Sequence, residues 1–154
     1  MNCLTEKKLS MEQIVFLIRE SLAEGKSVRF SPKGVSMKPM LRQGKDSVVL
    51  SSVPGKLKKY DLPLYQRKDG KYVLHRIVKV GETYSCLGDN QLKEESGLQH
   101  SQVIALVTGF YRGEKYHSVR EPLYWLYCRL WYQARRLYRF CRRILRWLKR
   151  KSVK

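Results

Sequence analysis

The period of the apolar positions changes twice along this chain. Over residues 10–24, Met11, Ile14, Val15, Ile18 and Leu22 recur at helical spacing and predict an amphipathic helix. Ser10 stands at its N-cap, Glu12 and Gln13 fall in its first turn, and Gly25 closes it. From Ser27 the period shortens towards two. Strands are predicted over Ser27–Phe30, Ser47–Leu50, Leu62–Arg67, Tyr72–Val80, Thr83–Leu87, Gln102–Tyr111 and Lys115–Val119. Pro54-Gly55, Asp69-Gly70, Gly81-Glu82 and Arg112-Gly113-Glu114 supply the turns between them. Gly88-Asp89-Asn90 is a tight polar loop, and Gln91–His100 carries no strand period. Pro122 then opens a second, much longer helical pattern, with Leu123, Leu126, Leu130, Ala134, Leu137, Cys141, Ile144, Leu145 and Leu148 on one side.

Short strands at regular spacing predict a mainly β fold: a compact antiparallel β domain between an N-terminal helix and a long basic amphipathic C-terminal helix. The expected division is 1–26, 27–119 and 120–154. A chain of 154 residues is long enough for one domain with a real core. No helix-turn-helix, internal repeat or Gly-rich phosphate loop interrupts the pattern.

Charge changes the picture only at the C-terminal end. The formal net charge is +19. From Arg120 to Lys154 twelve Lys or Arg face a single acid, Glu121, so these 35 residues carry +11 of it. Arg129, Arg135, Arg136, Arg139, Arg142, Arg143, Arg146 and Arg150 lie opposite the apolar stripe, and Trp125, Trp131 and Trp147 all fall in this segment. A basic, aromatic-rich amphipathic helix suits the headgroup boundary of an anionic bilayer, with Arg135, Arg139 and Arg143 towards phosphates and the indoles at the interface. Two other uses compete: packing of the apolar face on the β domain or on a partner helix, and binding of nucleic acid by the arginines. No apolar run reaches the roughly 20 residues that span a bilayer, and no secretory signal pattern is present. The expectation is a cytoplasmic protein, peripheral on the inner face of a membrane. Cys3, Cys86, Cys128 and Cys141 show neither Cys-x-x-Cys spacing nor a histidine partner, so no metal is expected. Nothing calls for a cofactor.

Three polar elements interrupt the β pattern. Ser36 lies in the bend Gly34-Val35-Ser36-Met37-Lys38-Pro39-Met40-Leu41, where Gly34 permits a sharp turn and Pro39 disfavours a helix. His75 stands inside an apolar run, between Leu74 and Ile77. Gly88-Asp89-Asn90 follows, with Glu94 and Glu95 just beyond. A serine hydroxyl becomes a nucleophile when a base removes its proton. Histidine does this near neutral pH, and an acid on its far nitrogen fixes the tautomer. The chain supplies one of each kind.

The Ser36-Met37-Lys38-Pro39 box, the strand Val73-Leu74-His75-Arg76-Ile77-Val78 and Gly88-Asp89-Asn90 together resemble type I signal peptidases and the related self-cleaving repressor peptidases, over roughly Val28 to Phe110. The resemblance implies a signal-peptidase-like β catalytic domain and a serine peptidase needing no cofactor. Ser36 is then the nucleophile. His75 is the base, as in the serine–histidine branch. Asp89 or Glu95 is the third member, and the Ser36 N–H meets the oxyanion in a loop shaped by Gly34. Met37 and Pro39 lie on the substrate side, and small side chains are expected before the cut. The chain departs from the pattern at Gly44-Lys45-Asp46, which has one extra residue, and at Tyr60-Asp61, with Tyr where Gly is usual. The amino-terminal membrane anchor of that family is not expected here. The expected role is therefore cleavage of a specific precursor or leader peptide at a membrane surface. The other expectation is a catalytically silent adaptor for membrane or nucleic acid.

Overall fold

The computed structural model describes residues 9–151, with side chains as far as residue 145. Helix α1 spans Met11–Ala23 and is closed by a capping box between Ser10 and Gln13. Val15, Ile18 and Leu22 form its buried stripe. Nine strands follow among the described residues: β1 Val28–Phe30, β2 Asp46–Ser51, β3 Pro63–Gln66, β4 Tyr72–Leu74, β5 Arg76–Val80, β6 Tyr84–Leu87, β7 Glu95–Leu98, β8 Val103–Arg112 and β9 Lys115–Ser118. Helix α2 runs over Pro122–Lys151. The fold is mainly β, as the sequence pattern predicts.

The strands form two antiparallel sheets. The larger has the order β1-β2-β8-β3-β4, with β9 also paired to β8, and the smaller is β5-β6-β7. The ten-residue β8 is the spine of the larger sheet, pairing with β2 on one side and with β3 and β9 on the other. One core cluster joins α1, Met37, Met40 and Leu41 of the serine loop, and the inner face of the larger sheet. A second, around Tyr65, Ile77, Tyr84 and Cys86, seals the smaller sheet against β3.

Two elements differ from the sequence pattern. The predicted strand Tyr72–Val80 is two strands in different sheets, and His75 is the residue between them. Val73–Val78 is apolar enough on both faces to read as one run, so the change of sheet leaves no mark on the period. Glu95–Leu98, read as irregular, forms the edge strand of the smaller sheet. It is mostly exposed and polar, and its alternation is therefore weak.

Helix α2 is not a detached tail. Tyr124, Tyr127, Trp131, Arg135 and Arg139 are half-buried and Cys128 is buried, one stripe at i, i+3, i+4 spacing lying on the β domain. The aliphatic stripe points elsewhere: Leu123, Leu126, Leu130, Leu137, Ile144 and Leu145 are all exposed. Among the described residues no helix is long and apolar enough to cross a membrane.

Candidate active site

The break between β4 and β5 fixes His75. The flanking strands belong to different sheets, and the side chain between them is buried to 1 % exposure. Its Nδ1 lies 3.3 Å from Glu95 Oε1 and 3.4 Å from the Tyr65 hydroxyl. Glu95, at the start of β7, is itself held. The Tyr65 hydroxyl donates to its Oε2 at 2.8 Å, Arg67 Nε donates to the same oxygen at 2.8 Å, and Arg67 Nη2 donates to Oε1. An acceptor on Nδ1 selects the tautomer that carries its proton there and leaves Nε2 as the basic nitrogen.

Ionisation follows the same geometry. Burial pushes the His75 pKa below its ordinary value of 6.5, against the opposing pull of Glu95, so the ring is neutral at pH 7. Burial alone would raise the Glu95 pKa, but hydrogen bonds from Arg67 and Tyr65 outweigh it and hold the carboxylate below its usual range. Burial pushes the Tyr65 phenol far up, so it remains a hydrogen-bond donor.

The loop Gly88-Asp89-Asn90 holds the backbone of the serine loop beside this base. The Asn90 N–H donates to the Ser36 carbonyl at 2.7 Å, and Asn90 Nδ2 donates to the Val35 carbonyl at 3.3 Å. Gly88 fills the angle between serine and histidine. A Cβ at this position would lie 2.8 Å from the Ser36 carbonyl oxygen and 3.0 Å from His75 Nε2. Only glycine leaves the two that close. The Ser36 backbone carbonyl and His75 Nε2 thus both lie against Gly88, and His75 and the half-buried Ser36 line one cavity of about 510 Å³.

The structure separates the two candidate acids. Asp89 does not partner His75. It is buried at 4 % exposure, and both its oxygens face Arg76, with Nε on Oδ1 at 2.9 Å and Nη2 on Oδ2 at 2.8 Å. Tyr127 of α2 donates to Oδ2 at 3.1 Å, and Trp131 Nε1 donates to the Asp89 carbonyl at 2.9 Å. Asp89 is the buried counter-charge that fastens the loop to β5 and α2. Glu95 is the acid at the histidine. Glu94 is turned away, between Lys79 at 2.9 Å and Arg139 at 2.8 Å.

Other expected site residues divide similarly. Gly34 bends the loop with φ of 105°, and its N–H donates to Gln43 Oε1 at 3.0 Å, so it is a shaping residue with its donor already engaged. Met37 is buried and forms part of the cavity wall. Pro39 is exposed and does not line the cavity. Of the expected membrane contacts, Trp125 and Arg143 are exposed, whereas Trp131, Arg135 and Arg139 are spent on Asp89, Gln91 and Glu94. The Trp147 side chain lies outside the described residues. Tyr65 and Arg67 were not foreseen. Nothing in a strand pattern tells that a tyrosine and an arginine two residues apart both reach one distant glutamate. Among the described residues no group of three His, Cys, Asp or Glu side chains is placed to hold a metal.

No protein-family model matches the chain, and no curated protein matches it.

Proposed function

We propose that this chain is a serine endopeptidase in which Ser36 is the nucleophile, His75 the base and Glu95 the residue that orients it. One observation carries the reading: a buried, neutral histidine has its Nδ1 on a carboxylate fixed by two further side chains, while its Nε2 faces the serine loop across Gly88. That arrangement suits proton transfer and is costly to keep without a use, since burying a histidine and a carboxylate together gains little stability.

In the proposed reaction His75 Nε2 takes the Ser36 hydroxyl proton as Oγ attacks the scissile carbonyl. The Ser36 N–H meets the developing oxyanion. Collapse breaks the C–N bond, and His75 returns the proton to the leaving amine. Water then attacks the ester, again giving its proton to His75, and the Ser36 hydroxyl is restored with release of the acid.

The substrate is a specific precursor or leader-like peptide, cleaved at an anionic membrane surface on which the protein sits from the cytoplasmic side. The exposed aliphatic stripe of α2, flanked by Trp125, Arg136 and Arg143, supports that seat. Nucleic acid offers phosphates to the arginines but nothing to the aliphatic stripe.

The test is incubation of a proteome-derived peptide library with the wild type, Ser36→Ala and His75→Ala. New termini made by the wild type and missing from both folded variants are the expected result. Equal product patterns from all three would sink the peptidase and leave a binding adaptor.

A further inference from the structure

The cavity beside Ser36 is larger and more basic than a site for small side chains requires. Its wall is aliphatic and aromatic, built from Met11 and Ile14 of α1, Phe30 of β1, Met37 of the serine loop, and Leu64 and Leu74 of the sheet. At about 510 Å³ it is as large as a small-molecule binding pocket. An alanine methyl would leave most of that volume unfilled, whereas a leucine, methionine or phenylalanine would reach the wall.

The charged groups described around this cavity are basic. Among the described residues Lys33, Arg67 and Lys71 line it, and no Asp or Glu does. A second, more open trough continues from it through the shared Arg67 and Gln91, adding Lys68 and Lys93. Among the described residues that trough has two acids, and each pairs with one of these cations: Glu95 with Arg67, beside His75, and Asp69 with Lys71 at 3.8 Å. A substrate lying across Ser36 therefore meets an apolar wall and a rim on which Lys33, Lys68 and Lys93 stand, among the described residues, outside any ion pair.

Resting on the peptidase reading, we propose that the site selects acidic peptides, with a bulky apolar side chain in the cavity next to the scissile bond and Asp or Glu close by. This departs from the small side chains that the family resemblance implies. The cavity supplies the discrimination. Each methylene lost from the apolar residue lowers kcat/KM by roughly 10- to 200-fold. The lysine rim supplies a smaller, salt-sensitive preference, about two- to fivefold for each exposed charge pair.

The peptide library, with Ser36→Ala as background, is read for residues flanking each cut. A single good substrate is then resynthesised with its apolar residue as Ala and its acids as amides, and assayed at low and high salt. Expected are Ser36-dependent cuts beside Leu, Ile, Met or Phe with Asp or Glu nearby, and an acid preference that fades with salt. The charge reversal Lys33→Glu with Lys71→Glu moves the preference from acidic to basic peptides. Ser36-dependent cuts beside small residues, or cuts indifferent to charge in wild type and reversal alike, overturn this specificity and leave the peptidase standing. A library without Ser36-dependent cuts overturns both.

Discussion

At the scale of single residues, Glu95 and Asp89 are both carboxylates, and only their partners tell them apart. Glu95→Gln keeps the shape but replaces the acceptor at His75 Nδ1 with a group that can present a donor. Its expected cost is on the order of 10²- to 10⁴-fold in kcat, with a stability change near 1 kcal/mol. Asp89→Asn leaves the buried Arg76 guanidinium without its counter-charge, and denaturant unfolding should show a loss of about 3–5 kcal/mol. Reversed roles would give the reverse pattern. The pH profile follows from His75. Its pKa is depressed in the fold, so the neutral base is present above pH 6.5 and kcat/KM should fall only in more acid solution. Stability runs the same way. It is complete above the unfolded histidine's ordinary value and is lost as pH falls below it towards the folded value, because only the unfolded chain readily binds that proton.

The serine and histidine boxes were legible in the sequence because residue type and context mark them: a serine between Gly34 and Pro39, a histidine in an apolar run. The identity of the acid was not. Asp89 and Glu95 are equally plausible along the chain, and the choice is made by Arg76, whose guanidinium takes both oxygens of Asp89. Tyr60 is the one non-glycine residue with positive φ among the described residues. It adopts a left-handed φ of 78°, a conformation that favours glycine. Its N–H donates to the Ile77 carbonyl at 2.8 Å, and its ring meets the edge of Tyr132 in α2.

At the scale of elements, α2 presents two faces with different chemistry, and neighbours in sequence separate them. Trp131 donates to the Asp89 carbonyl, whereas Leu130 is 62 % exposed. Trp131→Ala should therefore destabilise the fold, by roughly 1–3 kcal/mol for the lost ring and hydrogen bond. Leu130→Gln should leave the melting temperature nearly unchanged, within about 0.5 kcal/mol, and weaken binding to anionic vesicles roughly tenfold. Vesicle flotation beside thermal unfolding reads both. Loss of stability in Leu130→Gln with unchanged flotation would contradict this division of faces. The long helix was visible from its apolar period, but its docking face was not. A buried Arg76–Asp89 pair needs hydrogen-bonding partners, so tyrosine, tryptophan and arginine cover it, while the aliphatic stripe that marks a docking face elsewhere is left outside.

At the scale of the whole molecule, the expected boundary at residue 120 does not divide core from tail. Tyr124, Tyr127 and Cys128 close over Arg76, with the Tyr124 hydroxyl 2.8 Å from Nη1. Deleting 121–154 should uncover the buried ion pair and unfold the β domain. Deleting 140–154 keeps that cover and should remove much of the vesicle affinity from a folded protein; circular dichroism and flotation decide it. The architecture also ties the site together. One histidine at the junction of two sheets, one loop pinned to Ser36 by Asn90, and one helix over Asp89 hold the groups in register. Gly88→Ala should disturb that register, with an expected loss on the order of 10²-fold in kcat.

The claim beneath all of this is a covalent step on Ser36. Intact-mass and peptide-mapping analysis of enzyme rapidly quenched in acid during turnover of its best library peptide tests it directly. The account predicts an ester of the amino-side product on Ser36, slower to accumulate in Glu95→Gln and absent from His75→Ala. Peptide cleavage that persists undiminished in Ser36→Ala, with no adduct on the wild type, would contradict it.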